Sequence, residues 1–396
     1  MKFSIMLPCH NGMPYIKTAV DLILRQNYDD FELIISDDHS TDGTSEYIDS
    51  LSDFSHVKIL HCPTRESMSE HWEYAQSFAS GDWQIFVGQD DGLQGYFFEL
   101  AEKLVFIAEA KKLAIIMSER AYYFWHGCEN AYGTSLLDYS AENTIKILNS
   151  KKELKKALYK TKISYMDLPS MYTTSLFSKH FIDSIKQKNG GHLFITHPQD
   201  ANLAAYACLL TNRYLKSYIP LGWVGTSSSS AGLAIIELCN NETALGKEYF
   251  DTIKQSPLPY HKLAYDFRIP SLNLYFWNAL LCVTEKTNMQ KEHNFLINRN
   301  TKIHLFSFMQ TDAMISGLGR QLFNELLSIN NISVNDLKNL KTKKIIYLFY
   351  PIKKVLNILL RKKIKKYSLV LDKEISDISL LKADSYVSNK VKKELL

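Results

Sequence analysis

The chain lacks three features that would assign it to other classes of protein: metal-binding or redox cysteine spacing, long apolar runs, and basic charge over the whole surface. The six cysteines, at positions 9, 62, 128, 208, 239 and 282, form no CxxC pair and no Cys/His metal spacing. We therefore expect reduced, mostly buried thiols. No stretch reaches the ~18–20 uninterrupted apolar residues of a spanning helix, and the N-terminus lacks the apolar core of a signal peptide. These absences predict a cytoplasmic protein.

The positive charge is concentrated in one segment. The formal net charge is only +4. Eleven Lys or Arg residues and no acidic residue lie between Lys338 and Lys366, so the rest of the chain is net acidic. The charge distribution therefore argues against a basic nucleic-acid-binding surface over the whole protein. The basic segment needs its own explanation.

The first 120 residues alternate between short apolar segments and amphipathic helices. Strands are predicted at 3–7, 31–35, 57–60 and 83–87, with helices near 13–26, 44–51 and 69–79. This alternation predicts an α/β fold with a mostly parallel sheet covered by helices on both faces. Ligands of such sheets bind at the carboxyl ends of the strands.

Acidic pairs follow two of these strands. Asp37-Asp38 ends the second strand, and Asp90-Asp91 ends the fourth. Either pair alone could be a turn or a helix cap. Occurring together at neighbouring strand ends, they predict a site where carboxylates bind a nucleotide base or ribose and a divalent cation, Mn²⁺ or Mg²⁺.

Two stretches make a more specific match. They are IMLPCHNGMPYIKTAVDLILRQNYDDFELIISDDHSTDGT at 5–44 and WEYAQSFASGDWQIFVGQDD at 72–91. Through them the chain resembles family 2 glycosyltransferases of the GT-A fold, the type that builds bacterial surface polysaccharides. The resemblance implies transfer of a sugar from a nucleotide donor, with UDP the expected nucleotide.

The resemblance also implies roles for matching residues. Those expected to bind the nucleotide are Pro8, His10, Asp37, Asp38, Arg65 and Asp90. Asp91, with Asp90, would bind the metal, and we favour Asp91 as the ligand. The chain departs from the common D-x-D-D pattern because Gly88 stands at the first acidic position. The affinity for metal is therefore open.

Asp200 is the predicted catalytic base. His197-Pro-Gln-Asp200 resembles the family's acidic pair at the start of a helix, with Gln199 in place of the usual Glu. We expect the helix dipole to keep the Asp200 carboxylate ionised, ready to accept a proton from the acceptor hydroxyl. The alternatives are that Asp200 is only a helix N-terminal acid, or that Asp167 is the base.

Three residues are candidates for binding the acceptor. Trp125 and His126 end an aromatic run, and Trp223 opens a segment that the sequence favours as a loop. Aromatic runs are as often core strands as binding surfaces. Both interpretations therefore stay open.

The basic segment, residues 343–366, carries apolar residues at helical spacing and suits the surface of an anionic membrane. A basic helix packed on the protein itself is the alternative. We therefore predict a cytoplasmic protein that binds peripherally to the inner face of the cell membrane. Four regions follow: 1–115 for the nucleotide sugar, 116–235 for acceptor and base, a helical extension at 236–330 and the tail at 331–396.

The predicted function is inverting transfer of a sugar to a growing surface glycan or a lipid-linked acceptor. One alternative is a degenerate relative that serves as a binding or assembly partner. Another is a sugar nucleotidyltransferase, but Pro8-Cys-His-Asn-Gly12 lacks the basic, glycine-rich phosphate loop that such an enzyme needs.

Overall fold

The computed structural model describes residues 3–128, 135–159, 164–228, 230, 244–269, 271–313, 317–338, 365–370 and 379–396. Its strands are β1 (Phe3–Cys9), β2 (Phe31–Asp37), β3 (Val57–His61), β4 (Trp83–Phe86), β5 (Gly92–Leu93), β6 (Ile115–Met117), β7 (Ala121–Phe124), β8 (Ser135–Ala141), β9 (Ile145–Asn149), β10 (Ser175–Ser178), β11 (Arg213–Ser217), β12 (Gly222–Thr226) and β13 (Lys365–Val370). Its helices are α1 (Tyr15–Leu24), α2 (Thr44–Asp49), α3 (Met68–Ser77), α4 (Phe97–Ala110), α5 (Ser150–Leu158), α6 (Lys179–Lys188), α7 (Gln199–Leu210), α8 (Ala244–Gln255), α9 (Leu272–Lys286), α10 (Gln290–Ile297), α11 (Arg299–Ala313), α12 (Gly317–Ile329), α13 (Val334–Lys338) and α14 (Leu380–Glu394).

An eight-stranded sheet forms the centre of the molecule, in the order β3-β2-β1-β4-β10-β6-β11-β9. Strands β3, β2, β1 and β4 are parallel to one another, whereas β10 runs antiparallel between β4 and β6. The predicted α/β class is therefore confirmed. The four predicted N-terminal strands are all present, although β1 runs through Pro8 to Cys9 rather than stopping at the proline.

Both faces of this sheet are buried. Phe3, Ile5 and Leu7 of β1 pack into one hydrophobic core with α1, α4 and α14, while Met6 points into the core on the other face, with α3, α7 and α9. This alternation is the period-two pattern of a strand. Because both faces are covered, the strand ends are left as the edge where polar side chains can meet.

A second sheet, in the order β13-β8-β7-β12-β5, was not predicted. The segment starting at Trp223, expected to be a loop, begins instead within β12, which pairs with β7 and β5. The short strand β5 directly follows Asp90-Asp91. The acidic pair therefore lies between strand β4 of the central sheet and strand β5 of the second sheet.

The C-terminal helix packs against the N-terminal part of the chain. Residues 343–364 of the basic segment lie outside the described residues, and Lys365 and Lys366 begin strand β13, which pairs with β8. Helix α14 buries Leu380, Ala383, Val387 and Val391 in the core that contains α1. No helix in the described ranges is both long and apolar enough to cross a membrane.

Candidate functional site

The carboxyl ends of β1, β2 and β4 are joined by side-chain hydrogen bonds. Nδ1 of His10 donates to the carbonyl oxygen of Asp38 over 2.6 Å. The Gln89 amide accepts from the His10 backbone N–H at 2.9 Å and donates to the His10 carbonyl oxygen at 3.1 Å. His10, Asp38 and the loop leading to Asp90 therefore meet at one edge of the sheet. Pro8 lies two residues before His10 and is buried within β1.

Asp37 holds the loop that follows β2. Its carboxylate is 2% exposed and accepts hydrogen bonds from the hydroxyls of Ser40 and Ser45. These contacts match the turn and cap interpretation of this residue. The position of Asp37 therefore favours support of the nucleotide site over direct contact with a ligand.

Asp38 forms an ion pair with Arg65, and its carboxylate also accepts from the backbone N–H of Glu66. Burial raises the pKa of Asp38, although the Arg65 guanidinium opposes this shift. Arg65 is about one third exposed, whereas Asp38 is almost fully buried. The pair therefore presents a cation to solvent above a buried carboxylate.

Asp90 is bound by two hydroxyl groups. Its Oδ2 accepts from Ser227 at 2.7 Å and from Ser230 at 2.6 Å. Burial raises the pKa of Asp90, and the two serines oppose the shift. The indole N–H of Trp125 donates to the Asp90 carbonyl oxygen over 2.8 Å.

Asp91 is fully buried, and protein donors bind both of its carboxylate oxygens. Oδ1 accepts from the Gly225 backbone N–H at 2.7 Å. Oδ2 accepts from the Gly88 N–H and the Thr173 hydroxyl, each at 2.9 Å. Burial, and then the charge of Asp90, raise the pKa of Asp91 to about 7. The expectation that Asp91 is the main metal ligand is therefore not favoured by this geometry.

The absence of an acid at position 88 has a packing reason. A Cβ on Gly88 would lie 2.7 Å from Oδ2 of Asp91 and 2.8 Å from the Tyr172 hydroxyl. On the opposite side, a Cβ on Gly225 would lie 1.7 Å from the Asp90 carbonyl oxygen. Backbone therefore approaches the acidic pair from both sides, and a side chain at position 88 would require Asp91 or Tyr172 to shift.

A divalent cation fits this site only if substrate phosphates and water complete its coordination. Among the described residues, no group of three or more His, Cys, Asp or Glu side chains could hold a metal ion. Mg²⁺ is commonly held by one or two carboxylates together with substrate phosphates and water, rather than by a complete protein cage. Asp90, which is 9% exposed, is the better placed of the two carboxylates for that type of binding.

Asp200 lies in the first turn of α7, as predicted, but its environment differs from the expectation. The carboxylate accepts from the Ala201 N–H at 2.8 Å and from the Tyr165 hydroxyl at 3.3 Å. Burial nevertheless raises the pKa of Asp200 above its ordinary value. The helix terminus therefore does not lower the pKa of Asp200 below its ordinary value, because desolvation outweighs the nearby donors.

Tyrosines connect Asp200 with the acidic pair. Tyr172, which contacts Asp91, also has its pKa raised, first by burial and then by the charges of Asp91, Asp90 and Asp200. The predicted base and the predicted acidic pair therefore belong to one electrostatic site. Asp167, the alternative base, is the last residue of a short 3₁₀ turn at Ser164–Asp167.

Sequence reasoning missed two charged residues. Arg120 is close enough to Asp200 for its charge to oppose the rise in that pKa, and its buried Nε has no hydrogen-bond partner within the described structure. Glu248 of α8 pairs with both His10 and Arg65. Neither residue lies in a motif, and Glu248 is 183 residues from Arg65. Local patterns therefore carried no signal for them.

The three candidates for acceptor binding differ in burial and in their position relative to the acidic pair. Trp125 is half-buried beside the acidic pair, and its ring packs on Tyr15 with centroids 4.8 Å apart. His126 is exposed next to it. Trp223 is fully buried, and its indole N–H donates to Asp384 over 2.8 Å. A role for Trp223 in acceptor binding is therefore excluded by its burial, whereas Trp125 and His126 border the site.

A mostly parallel sheet with paired acids at its strand ends, faced by a carboxylate at a helix N-terminus, is the α/β arrangement of the GT-A fold. Residues 4–181 match the family model described as Glycosyl transferase family 2. This match confirms the resemblance to family 2 glycosyltransferases stated from the sequence.

Curated relatives match part of the chain. A PGL/p-HBAD biosynthesis glycosyltransferase of Mycobacterium tuberculosis is 32% identical over 92 residues, which are 23% of this chain and 36% of that protein. Glycosyltransferase GlyG of Streptococcus pneumoniae is 30% identical over 89 residues, which are 22% of this chain and 30% of that protein. The chain therefore spans about a third of the length of these relatives.

Among solved structures, S. aureus TarS 1–349 in complex with UDP-GlcNAc aligns with 84% of this chain and 91% of its own. The sequence identity is 14% and the TM-score is 0.44. At that level of similarity, no residue of this chain takes its role from TarS.

Proposed function

We propose that this protein transfers a sugar from a UDP-sugar donor to a growing glycan or a lipid-linked acceptor, with inversion at the anomeric carbon. The observation that carries the proposal is the meeting of His10, Asp38 and Asp90-Asp91 at one sheet edge, in the electrostatic field of Asp200. A site with this composition can bind a base, a ribose and a metal-bound diphosphate on one side and a nucleophile on the other. The names of the matched relatives support the same class of reaction.

In the proposed reaction, Asp200 accepts the proton of the acceptor hydroxyl as its oxygen forms a bond to the anomeric carbon. The bond from that carbon to the UDP oxygen breaks, and UDP leaves with the electron pair. A divalent cation bound at Asp90 would neutralise charge on the leaving diphosphate. The raised pKa of Asp200 suits this role, because a general base works best when its pKa lies closer to the working pH.

A non-catalytic binding role is the second candidate, and one observation favours it. Protein donors already saturate Asp91, and the described residues provide no third metal-binding side chain. A protein of this kind could bind a nucleotide without turning it over.

Titration calorimetry with UDP, with and without Mn²⁺, separates binding from no binding. We expect UDP to bind and Mn²⁺ to strengthen the binding. If the protein bound UDP equally with and without Mn²⁺, the cation role of Asp90 would be wrong. If it bound no nucleotide at all, the proposed function would fail.

The change Asp200→Asn tests catalysis. We expect the variant to bind UDP like the wild type and to lose about 10²–10⁴-fold in turnover of UDP-sugars, the usual contribution of a general base. Asp183→Asn removes a comparable charge from an exposed pair with Lys179 and serves as the control. Turnover that survived Asp200→Asn would show that another residue, with Asp167 first in line, is the base.

We also propose that the basic segment at 343–366 binds the surface of an anionic membrane. The support is its charge: it contains nine of the eleven Lys and Arg residues counted from Lys338, and no acid. A lipid-linked acceptor would be reached at such a surface. The location expected is the cytoplasmic face of the cell membrane.

A further inference from the structure

The carboxylate of Glu248 lies outside every recognised motif, yet it contacts His10 and Arg65 at the proposed nucleotide-binding edge of the sheet. Oε1 of Glu248, on helix α8, lies 3.0 Å from Nε2 of His10 and 2.9 Å from Nη2 of Arg65. Arg65 pairs at the same time with Asp38. The four side chains therefore form a chain of contacts in the order Asp38, Arg65, Glu248, His10.

This arrangement uses the polar groups that a nucleotide would need. Nε2 of His10 and Nη2 of Arg65 both face one oxygen atom of Glu248, while Nδ1 of His10 is bound to the Asp38 carbonyl oxygen. Because Nδ1 already donates, Nε2 donates to Glu248 in the imidazolium form of the ring, and it also lies 3.1 Å from Nδ2 of Asn11. A bound nucleotide and Glu248 would thus compete for the same two side chains.

The contacts of Glu248 with Arg65 and His10 are weak enough for a ligand to displace them. The side chain of Glu248 is 44% exposed and that of Arg65 is 35% exposed, so water screens their attraction. Partial burial opposes ionisation of Glu248, but Arg65 and His10 together hold its pKa below the ordinary value. Glu248 is therefore an ionised and solvent-accessible competitor, unlike the buried Asp38.

The residue next to Glu248 faces the other half of the site. Burial, and then the charge of Asp200, raise the pKa of Tyr249. Helix α8 therefore carries one side chain on the nucleotide edge and the next beside the predicted base.

We propose that Glu248 occupies the donor groups of His10 and Arg65 in the nucleotide-free protein, and that UDP must displace it to bind. Glu248 is thereby a residue that sets the affinity for the donor nucleotide. The inference rests on the proposed function, because it assumes that UDP binds at this edge.

The test is calorimetry of UDP with the full-length protein and with Glu248→Gln. The amide keeps the size of the side chain but removes the negative charge that attracts Arg65 and repels the diphosphate. We expect Glu248→Gln to bind UDP about three- to tenfold more tightly, the effect of removing one or two partly exposed ion pairs. Asp251→Asn on the same helix, which removes an equal charge from an exposed pair with Lys254, should leave the affinity unchanged.

A double-mutant cycle identifies the route of the effect. In the Arg65→Gln background, the gain from Glu248→Gln should shrink, because part of the competition has already been removed. Weaker UDP binding by Glu248→Gln would overturn the proposal and make Glu248 a direct contact of the nucleotide. An equal gain in Glu248→Gln and Asp251→Asn would overturn it in favour of a general charge effect. Failure of the wild type to bind UDP would instead contradict the proposed function itself.

Discussion

At the scale of single residues, burial is the main influence on the pKa values of the carboxylates in this site. Asp38, Asp90, Asp91 and Asp200 all have raised pKa values, and burial is the largest cause for each. What differs among them is the compensating group: chiefly a guanidinium for Asp38, hydroxyls for Asp90, and both backbone N–H and hydroxyl groups for Asp91 and Asp200. Asp200 is the one among them whose compensation includes a nearby cation that the sequence did not indicate, Arg120.

Replacing Arg120 should change the pH dependence of turnover. The Arg120 charge holds the pKa of Asp200 lower than burial alone would place it. In Arg120→Gln, the pKa of Asp200 therefore rises further, and the base is ionised only at higher pH. We expect the acid limb of the kcat/KM profile for UDP-sugar turnover to move upward by up to about one pH unit, equivalent to ~1.4 kcal/mol.

Arg120→Lys provides the matched control. It keeps the positive charge, so the acid limb should stay near that of the wild type even if the maximum rate falls. Arg120 is a positioning residue in this account, and a loss of rate without a shift in the acid limb would show a purely structural role. An unchanged profile in Arg120→Gln would also count against Asp200 as the titrating base.

At the scale of elements, helix α14 supports the strand that faces the acidic pair. Asp384 is fully buried and accepts from the Trp223 indole of β12 at 2.8 Å and from the Gly95 N–H at 3.1 Å, and it pairs with Arg25 at the end of α1. Two residues after Trp223, Gly225 donates to Asp91. One buried carboxylate therefore connects helix α14 with the strand that contacts the acidic pair.

The change Asp384→Ala should destabilise the protein strongly. It leaves the guanidinium of Arg25, the indole of Trp223 and the Gly95 N–H without their acceptor. We expect the free energy of unfolding to fall by about 3 kcal/mol, as when one partner of a buried pair is removed. Urea unfolding measures this value. Asp183→Ala, in an exposed pair, should cost less than about 1 kcal/mol, and equal losses in the two variants would contradict the supporting role of α14.

The elements that sequence could predict are those specified by local patterns. Strands β1, β2 and β4 carry apolar runs closed by polar residues, so both their existence and the position of Asp38 and Asp90 at their ends could be read directly. Strand β5 has only two residues, and β12 is a tryptophan-glycine segment that resembles a loop. Their strand character comes from pairing with each other and with β7, which no local pattern encodes.

At the scale of the whole molecule, distance along the chain limits what could be predicted. Glu248 lies 183 residues from Arg65, and Asp384 lies 359 residues from Arg25. Neither pair has a spacing or motif that would join its members before folding. The structure therefore has Asp38 and the Asp90-Asp91 pair next to strand ends, where the sequence placed them, whereas the charges that distant helices bring to this edge were not predicted.

The course of the chain also decides how membrane binding should be tested. Truncation near residue 335 would remove β13 and α14 together with the basic segment, so a loss of membrane binding could reflect unfolding. Replacing Lys353, Lys354, Arg361 and Lys362 with glutamine keeps those elements and removes only charge.

Each basic residue near an anionic surface contributes about 1 kcal/mol. We therefore expect this fourfold variant to lose at least about tenfold in sedimentation with phosphatidylserine vesicles, while UDP affinity stays unchanged. Neutral phosphatidylcholine vesicles should bind both proteins equally weakly. Equal sedimentation of the two proteins with the anionic vesicles would show that the basic segment packs on the protein or on a second copy instead.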